Sequence, residues 1–242
     1  MFVSVIMQKE VAFNGENKSK KRADIYFILS GAAFALFLLL IILIKTVDIK
    51  TITLIGSGGT FDIKIGLSTL NIAVSDAIAY NSLWYKITGV SGILPLAVAG
   101  AFVVLGLVQL ISRKSLKKVD GEIYLLGSFY VLTLAVYVFF EKVIINYRPI
   151  ILNKTPEASF PSSHTMLAVF ICLSASFTLE KYVKSHAILN ITQIALGALT
   201  GIIVLGRILS GVHWATDIIG GLLISLALYF CYKALYIKLF NE

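Results

Sequence analysis

Six long apolar runs divide this chain, at about 25–45, 91–111, 123–144, 165–179, 187–209 and 215–237. About 20 helical residues cross the hydrocarbon core of a bilayer, so the pattern predicts an all-α, polytopic membrane protein with a six-transmembrane-helix bundle. The fourth run is short, and reaches spanning length by extending through Glu180 to Tyr182 at headgroup level. Pro95 falls in the first turn of the second run, where a missing N–H costs nothing. Residues 1–24 form a separate N-terminal segment ahead of a membrane domain over 25–242. The largest non-spanning stretch, residues 48–90, carries Gly56-Ser57-Gly58-Gly59, which reads as a flexible turn. Beyond it, residues 67–87 predict one or two short helices along the interface, with Trp84, Tyr85 and Lys86 suited to headgroup level.

Composition agrees with that plan. Of 242 residues 58% are hydrophobic and only 14% charged, with a mean hydropathy of +0.89, which leaves too little polar surface for a soluble domain. The net charge of +8 is therefore read by position, and carries no nucleic-acid signal. With the N-terminus in the cytoplasm, thirteen of the 21 basic residues fall inside. They are Lys9 and the Lys18, Lys20, Lys21, Arg22 cluster, then Arg113, Lys114, Lys117, Lys118, Lys181, Lys184, Lys233 and Lys238. The positive-inside rule is met with both termini cytoplasmic. Cys172 and Cys231 both lie inside apolar runs and read as packing residues, with no zinc or disulfide pattern. The first run is too long for a signal-peptide core, and no convincing small-residue cleavage site follows it.

Three polar stretches then fall on the same, outer side, and their chemistry matches. Arg207, His213 and Asp217 bridge the fifth and sixth runs. Ionised groups beside lipid are costly, so their presence there points to function. A spacing of four places His213 and Asp217 on one face if the segment is helical. A carboxylate can then hold one imidazole nitrogen while the other attacks phosphorus. Pro161-Ser162-Ser163-His164 opens the fourth run, where free N–H groups suit an anion. Either serine can equally be an ordinary N-cap, and His164 can protonate a leaving alkoxide. Arg148-Pro149 follows the third run, and Arg148 either snorkels or clamps phosphate oxygens. Lys142 lies about one and a half helical turns earlier, beside Glu141 as a possible structural partner.

Together these stretches resemble the phosphatidic acid phosphatase type 2 family. Its pattern runs lysine, six residues, Arg-Pro; then Pro-Ser-Gly-His; then Ser-Arg, five residues, His, three residues, Asp. The likeness covers roughly residues 80 to 235, and three positions depart from it. Glu141 holds the place of the lysine, with Lys142 one residue too close to Arg148. Ser163 replaces the glycine of the second motif and Gly206 the serine before Arg207.

The resemblance implies metal-free hydrolysis of a phosphate monoester or pyrophosphate, without cofactor, on the outer face of a bacterial inner membrane. His213 would form a phosphohistidine, oriented by Asp217, and His164 would be the general acid. Arg148, Arg207, Ser162, Ser163 and Lys142 would bind the phosphate. The implied partners are the bilayer and a membrane lipid phosphate. Members of the family act on undecaprenyl pyrophosphate, phosphatidylglycerophosphate, phosphatidic acid or the 1-phosphate of lipid A, and some pass the phosphate to another lipid. A transporter would need its buried charges at mid-membrane, whereas here they gather at one side. A lipid-binding homologue without activity is the third class.

Overall fold

The computed structural model describes the backbone from Phe2 to Phe240 and side chains from residue 18 to residue 240; Lys9 lies outside the described side chains. Helix α1 (Phe2–Thr46) runs without a break through residues 24 and 25, where composition alone suggested a boundary. Strands β1 (Lys50–Gly56) and β2 (Gly59–Ile65), then helices α2 (Ser68–Ile78) and α3 (Ser82–Ser91), fill the segment between the first two spans. The remaining helices are α4 (Ile93–Arg113), α5 (Gly121–Lys142), α6 (Ser163–Tyr182), α7 (His186–Leu209) and α8 (Ala215–Phe240). Six helical stretches among the described residues are long and apolar enough to cross a membrane, and α3 with α4 forms one of them, Ser82–Arg113. The chain is thus a multi-pass membrane protein.

The helices divide by burial. In α6 and α8 about half of the most apolar window is covered by protein, against less than a quarter in each of the other four spans. The central pair therefore carries the small and polar residues that close packing admits, such as Ser225, whose hydroxyl donates 3.0 Å to the Met166 carbonyl. The surrounding helices turn Leu, Ile, Val and Phe outward, as a lipid-facing surface requires. One core cluster joins Phe129, Phe170 and Tyr232 toward the end that bears Arg113 and Lys181. A second joins Phe37, Phe140, Phe160 and Met166 toward the other end.

Each end has its own polar chemistry. At the first, Asp120 takes Arg113 at 2.6 Å, Gln109 at 2.9 Å and Tyr182 at 3.0 Å, while Lys181 bonds Glu122 at 2.6 Å. Arg148, His164, Arg207 and His213 all lie at the opposite end, where α5 and α7 finish and α6 and α8 begin.

The β-hairpin is the element that hydropathy alone did not predict. Thr51 and Thr53 alternate with Ile52 and Leu54, a period-two pattern, and Gly56 pairs with Gly59 around a two-residue turn. The Gly-Ser-Gly-Gly run is thus a turn, as its composition suggested, and it joins two paired strands. Gly58 is needed there because a Cβ would stand 2.1 Å from the Lys154 carbonyl oxygen. Ile63 and Ile65 of β2 pack against Trp214, which brings the hairpin over the residue next to His213. Asp48 closes the start of α2, accepting from Thr69 N at 2.6 Å and Ser68 Oγ at 2.9 Å. The Thr69 N–H, then the Ser68 hydroxyl, hold the Asp48 carboxyl below its usual range. From α2, buried Asn71 exchanges hydrogen bonds with Thr216, donating to Oγ1 at 3.1 Å and accepting from its N–H at 3.2 Å. The segment 48–90 is therefore seated on the start of α8.

Candidate active site

The third motif is built on a turn and not on a helix. Helix α7 stops at Leu209, Gly211 adopts φ +67°, and α8 begins only at Ala215. His213 and Asp217 thus meet because the chain doubles back, which corrects the helical-face reading of their spacing. Asp217, in the first turn of α8, accepts the Trp214 N–H at 3.0 Å through Oδ2, and the same oxygen lies 3.4 Å from His213 Nδ1. The turn has no room for a side chain at its corner: a Cβ on Gly211 would stand 2.1 Å from the Ala79 carbonyl oxygen. A Gly211→Ala change combines that clash with a left-handed φ, which costs about 1–3 kcal/mol by itself. It is expected to lower the thermal unfolding midpoint in detergent by several degrees, measurable by circular dichroism.

The proton on His213 can be placed by elimination. Arg207 Nη2 is 3.0 Å from His213 Nε2, and a guanidinium can only donate. Nε2 therefore offers its lone pair, and the ring proton sits on Nδ1, facing Asp217. Burial first, then the Arg207 and Arg148 guanidiniums, hold the imidazole pKa well below the ordinary histidine range. The Nε2 lone pair is thus aimed at a buried cation.

The first and second motifs are joined by a short antiparallel ladder. Arg148 N–H donates to the Glu157 carbonyl at 3.0 Å, Ser159 N–H donates to the Asn146 carbonyl at 2.9 Å, and Tyr147 faces Ala158 between them. Trp214 ties the third motif to the same ladder, donating Nε1–H to the Tyr147 carbonyl at 2.6 Å. Ser162 N–H then donates to the Asp217 carbonyl at 3.0 Å. Backbone bonds therefore converge all three motifs on one spot.

Around that spot lie polar atoms with nothing to bond. Arg207 is 1% exposed and its Nε has no partner. Arg148 Nε lies 3.1 Å from Glu157 Oε2 at an angle too oblique for a hydrogen bond, and its buried Nη1 is unpartnered. The Ser162 hydroxyl is buried and free; it does not cap α6, so the capping role that its position allows is not filled. Buried groups are normally satisfied, and Arg148, itself paired with Glu157, adds its positive charge to that of the buried Arg207. A cleft reaches this point between Tyr137, Glu141, Arg148, Ser163 and His213. His164, in the first turn of α6, stands against Gly92 at the α3–α4 junction, where a Cβ would come 2.6 Å from its Cδ2.

Lys142 is the sequence candidate that the fold leaves apart. It is exposed at the last residue of α5, while Glu141, in the position of the family lysine, lines the cleft. One residue on a helix turns a side chain by about 100°, which places the neighbours on different faces. Other neighbours of the site carry no motif. Asn146 and Ser159 pack behind Asp217 and direct their side-chain polar groups at its carboxylate. Tyr85 and Thr88 of α3 touch Arg207 from the far side. The polar Asn146, two residues before Arg148 in an apolar context, was the one signal in the sequence that could have marked this second layer.

The fold and site define a helical membrane protein with Arg148, His164, Arg207, His213 and Asp217 gathered at one end of its bundle. The PAP2 superfamily model matches residues 125–240, just under half of the chain, and so spans all three motifs. The fold of the chain is similar to that of the transmembrane PAP2-type phosphatidylglycerolphosphate phosphatase of Bacillus subtilis. The two share 20% identity and a TM-score of 0.60, covering 87% of this chain and 97% of that one. The LpxE protein of Aquifex aeolicus matches at 24% identity and a TM-score of 0.42, covering 68% of this chain and 94% of that one. No curated protein matches the chain in sequence.

Proposed function

We propose that this protein is a lipid phosphatase that removes a phosphate, as monoester or pyrophosphate, through a phosphohistidine on His213. The observation that carries the reading is the setting of one ring: His213 Nδ1 lies 3.4 Å from Asp217 Oδ2 while Nε2 lies 3.0 Å from the buried Arg207 guanidinium. In the resting protein Arg207 covers the Nε2 lone pair. An incoming phosphate offers the guanidinium better acceptors, draws it off, and frees Nε2 to attack.

The step balances without any added group. Nε2 forms a bond to phosphorus, the bond from phosphorus to the lipid oxygen breaks, and His164 gives its proton to the departing oxygen. Asp217 stabilises the imidazolium through Nδ1–H. Water then attacks phosphorus, His164 takes its proton, and inorganic phosphate leaves as His213 is restored. Arg148, Arg207 and Ser162 hold the equatorial oxygens, where preorganised donors lower the barrier most. Ser163, at the start of α6, offers its backbone N–H beside them. Lys142 takes no part.

The basic residues at the Arg113 and Lys181 end support a cytoplasmic placement of that end and both termini. The site would then open to the outer side of a bacterial inner membrane, where a lipid can present its phosphate while its chains stay in the bilayer. The test is phosphate release by purified protein in detergent with EDTA. The panel comprises phosphatidic acid, phosphatidylglycerophosphate, undecaprenyl pyrophosphate and lipid A. Release from at least one of them that EDTA does not suppress is the expected result. No release from any, or release only with added divalent metal, overturns the reading.

A further inference from the structure

We propose that α3 supplies two positioning residues for Arg207, Thr88 and Tyr85, and that Thr88 takes the place of the side chain missing at Gly206. The inference rests on the phosphatase reading above and deepens it.

The geometry is specific. Thr88 donates its hydroxyl proton to the Trp84 carbonyl at 2.8 Å, which turns the oxygen lone pairs outward. Arg207 Nη1 lies 3.4 Å from that oxygen, across 119 residues of chain. The Tyr85 ring sits 5.6 Å from the Arg207 guanidinium carbon, within cation–π range. Arg207 is thus gripped on three sides, by His213 Nε2, the Thr88 oxygen and the Tyr85 face. Its Nε is left free.

Gly206 explains how α3 comes so close. A Cβ there would stand 2.4 Å from the Thr88 methyl and 3.0 Å from Trp84 Cε3. The residue that fills the space of the absent Cβ is therefore the same one that turns an oxygen toward Arg207. Asn81 fixes the approach: its side chain caps α3 at Leu83 N and Trp84 N, both at 3.1 Å, and its own N–H donates to the Ser210 carbonyl at 3.1 Å. Helix α3 is held to the end of α7 at both of its turns.

Neither Thr88 nor Tyr85 bonds a substrate in this arrangement; each acts through Arg207. The consequence is that altering them changes turnover through the placement of one guanidinium. Thr88→Val keeps the packing and removes the acceptor, and is expected to lower kcat about tenfold with KM changed much less. Tyr85→Leu keeps the bulk and removes the π face, for a fall of about three- to tenfold. Thr88→Ser and Tyr85→Phe restore most of the rate, because the hydroxyl and the ring return. Gly206→Ser should be impaired alone, while Gly206→Ser with Thr88→Ala should exceed either single variant, as expected of residues sharing one space.

Two readouts separate this proposal from the one it rests on. Phosphate release reports the whole reaction. Binding of orthovanadate, followed calorimetrically, reports the placement of the site cations with no lipid present. Weaker vanadate binding by Thr88→Val and Tyr85→Leu, recovered in Thr88→Ser and Tyr85→Phe, supports the proposal. Wild-type vanadate affinity and wild-type turnover in Thr88→Val and Tyr85→Leu overturn it. A wild-type protein that binds vanadate but releases phosphate from no lipid overturns the phosphatase reading instead, and one that does neither overturns both.

Discussion

Replacing His213 with alanine is expected to lower phosphate release by at least about 10⁴-fold, because the variant loses the nucleophile and not merely a contact. The residue cannot be replaced by its neighbours: His164 is held against Gly92 and is assigned the proton transfer, and Arg207 cannot lose its proton. Fold should survive. The imidazole faces Arg207, Asp217 and the Ser159 backbone, and its removal costs about 1–3 kcal/mol for each polar group left unpaired. A rapid-quench assay with labelled lipid makes the test direct. Wild-type protein should hold label on nitrogen, lost in acid and kept in alkali, and His213→Ala should hold none. Label retained in the variant would place the covalent step on another side chain.

The same residue sets a pH dependence. Burial and the two arginines depress the His213 pKa, so the folded protein keeps the ring neutral where the unfolded chain protonates it. The sign follows from linkage: stability is full above the ordinary histidine value and falls as pH drops below about 6.5, where only the unfolded state takes up the proton. The acid limb of kcat/KM that belongs to His213 lies lower still. On the proposed mechanism the His213 ring is therefore able to attack throughout the neutral range.

The parts of this molecule legible in its sequence are those that depend on local pattern. Hydropathy placed the last four spans to within a few residues, while the first two begin well ahead of their apolar runs, at Lys18 and Ser82; α6, for instance, extends to Tyr182, as the short fourth run required. Motif spacing marked Arg148, His164, Arg207, His213 and Asp217, and the fold gathers them. What was hidden depends on long-range placement. The hairpin carries a period-two pattern, but it is only seven residues per strand inside an apolar chain where helical runs dominate. Tyr85 reads as a headgroup aromatic because nothing local distinguishes it from one, and its role is set by Arg207, far along the chain. The His213–Asp217 spacing suggested a helix that Gly211 prevents. The Glu141–Lys142 pair shows the converse, since one residue of register decides which neighbour lines the cleft.

Asp217→Asn is expected to be the second most damaging change, lowering kcat about 10³- to 10⁴-fold by analogy with carboxylates that hold a catalytic histidine. Two effects combine. The imidazolium formed when Nε2 bonds phosphorus loses the one carboxylate against Nδ1. In addition, an asparagine can present its NH₂ to Nδ1, which favours the tautomer with the proton on Nε2 and no lone pair for attack. Packing is nearly unchanged, although the atom facing Nδ1 is also the one that accepts the Trp214 N–H, so an NH₂ there gives up that bond as well. KM should therefore move little while kcat falls, the pattern of an interaction made in the transition state. The phosphohistidine should still form, but slowly, which separates this variant from His213→Ala. If Asp217→Asn instead loses kcat and KM together with a large drop in thermal stability, Asp217 acts mainly on the turn before α8. Its charge would then contribute little to the chemistry, because an aspartate at the start of a helix can hold a turn with no proton moving at all.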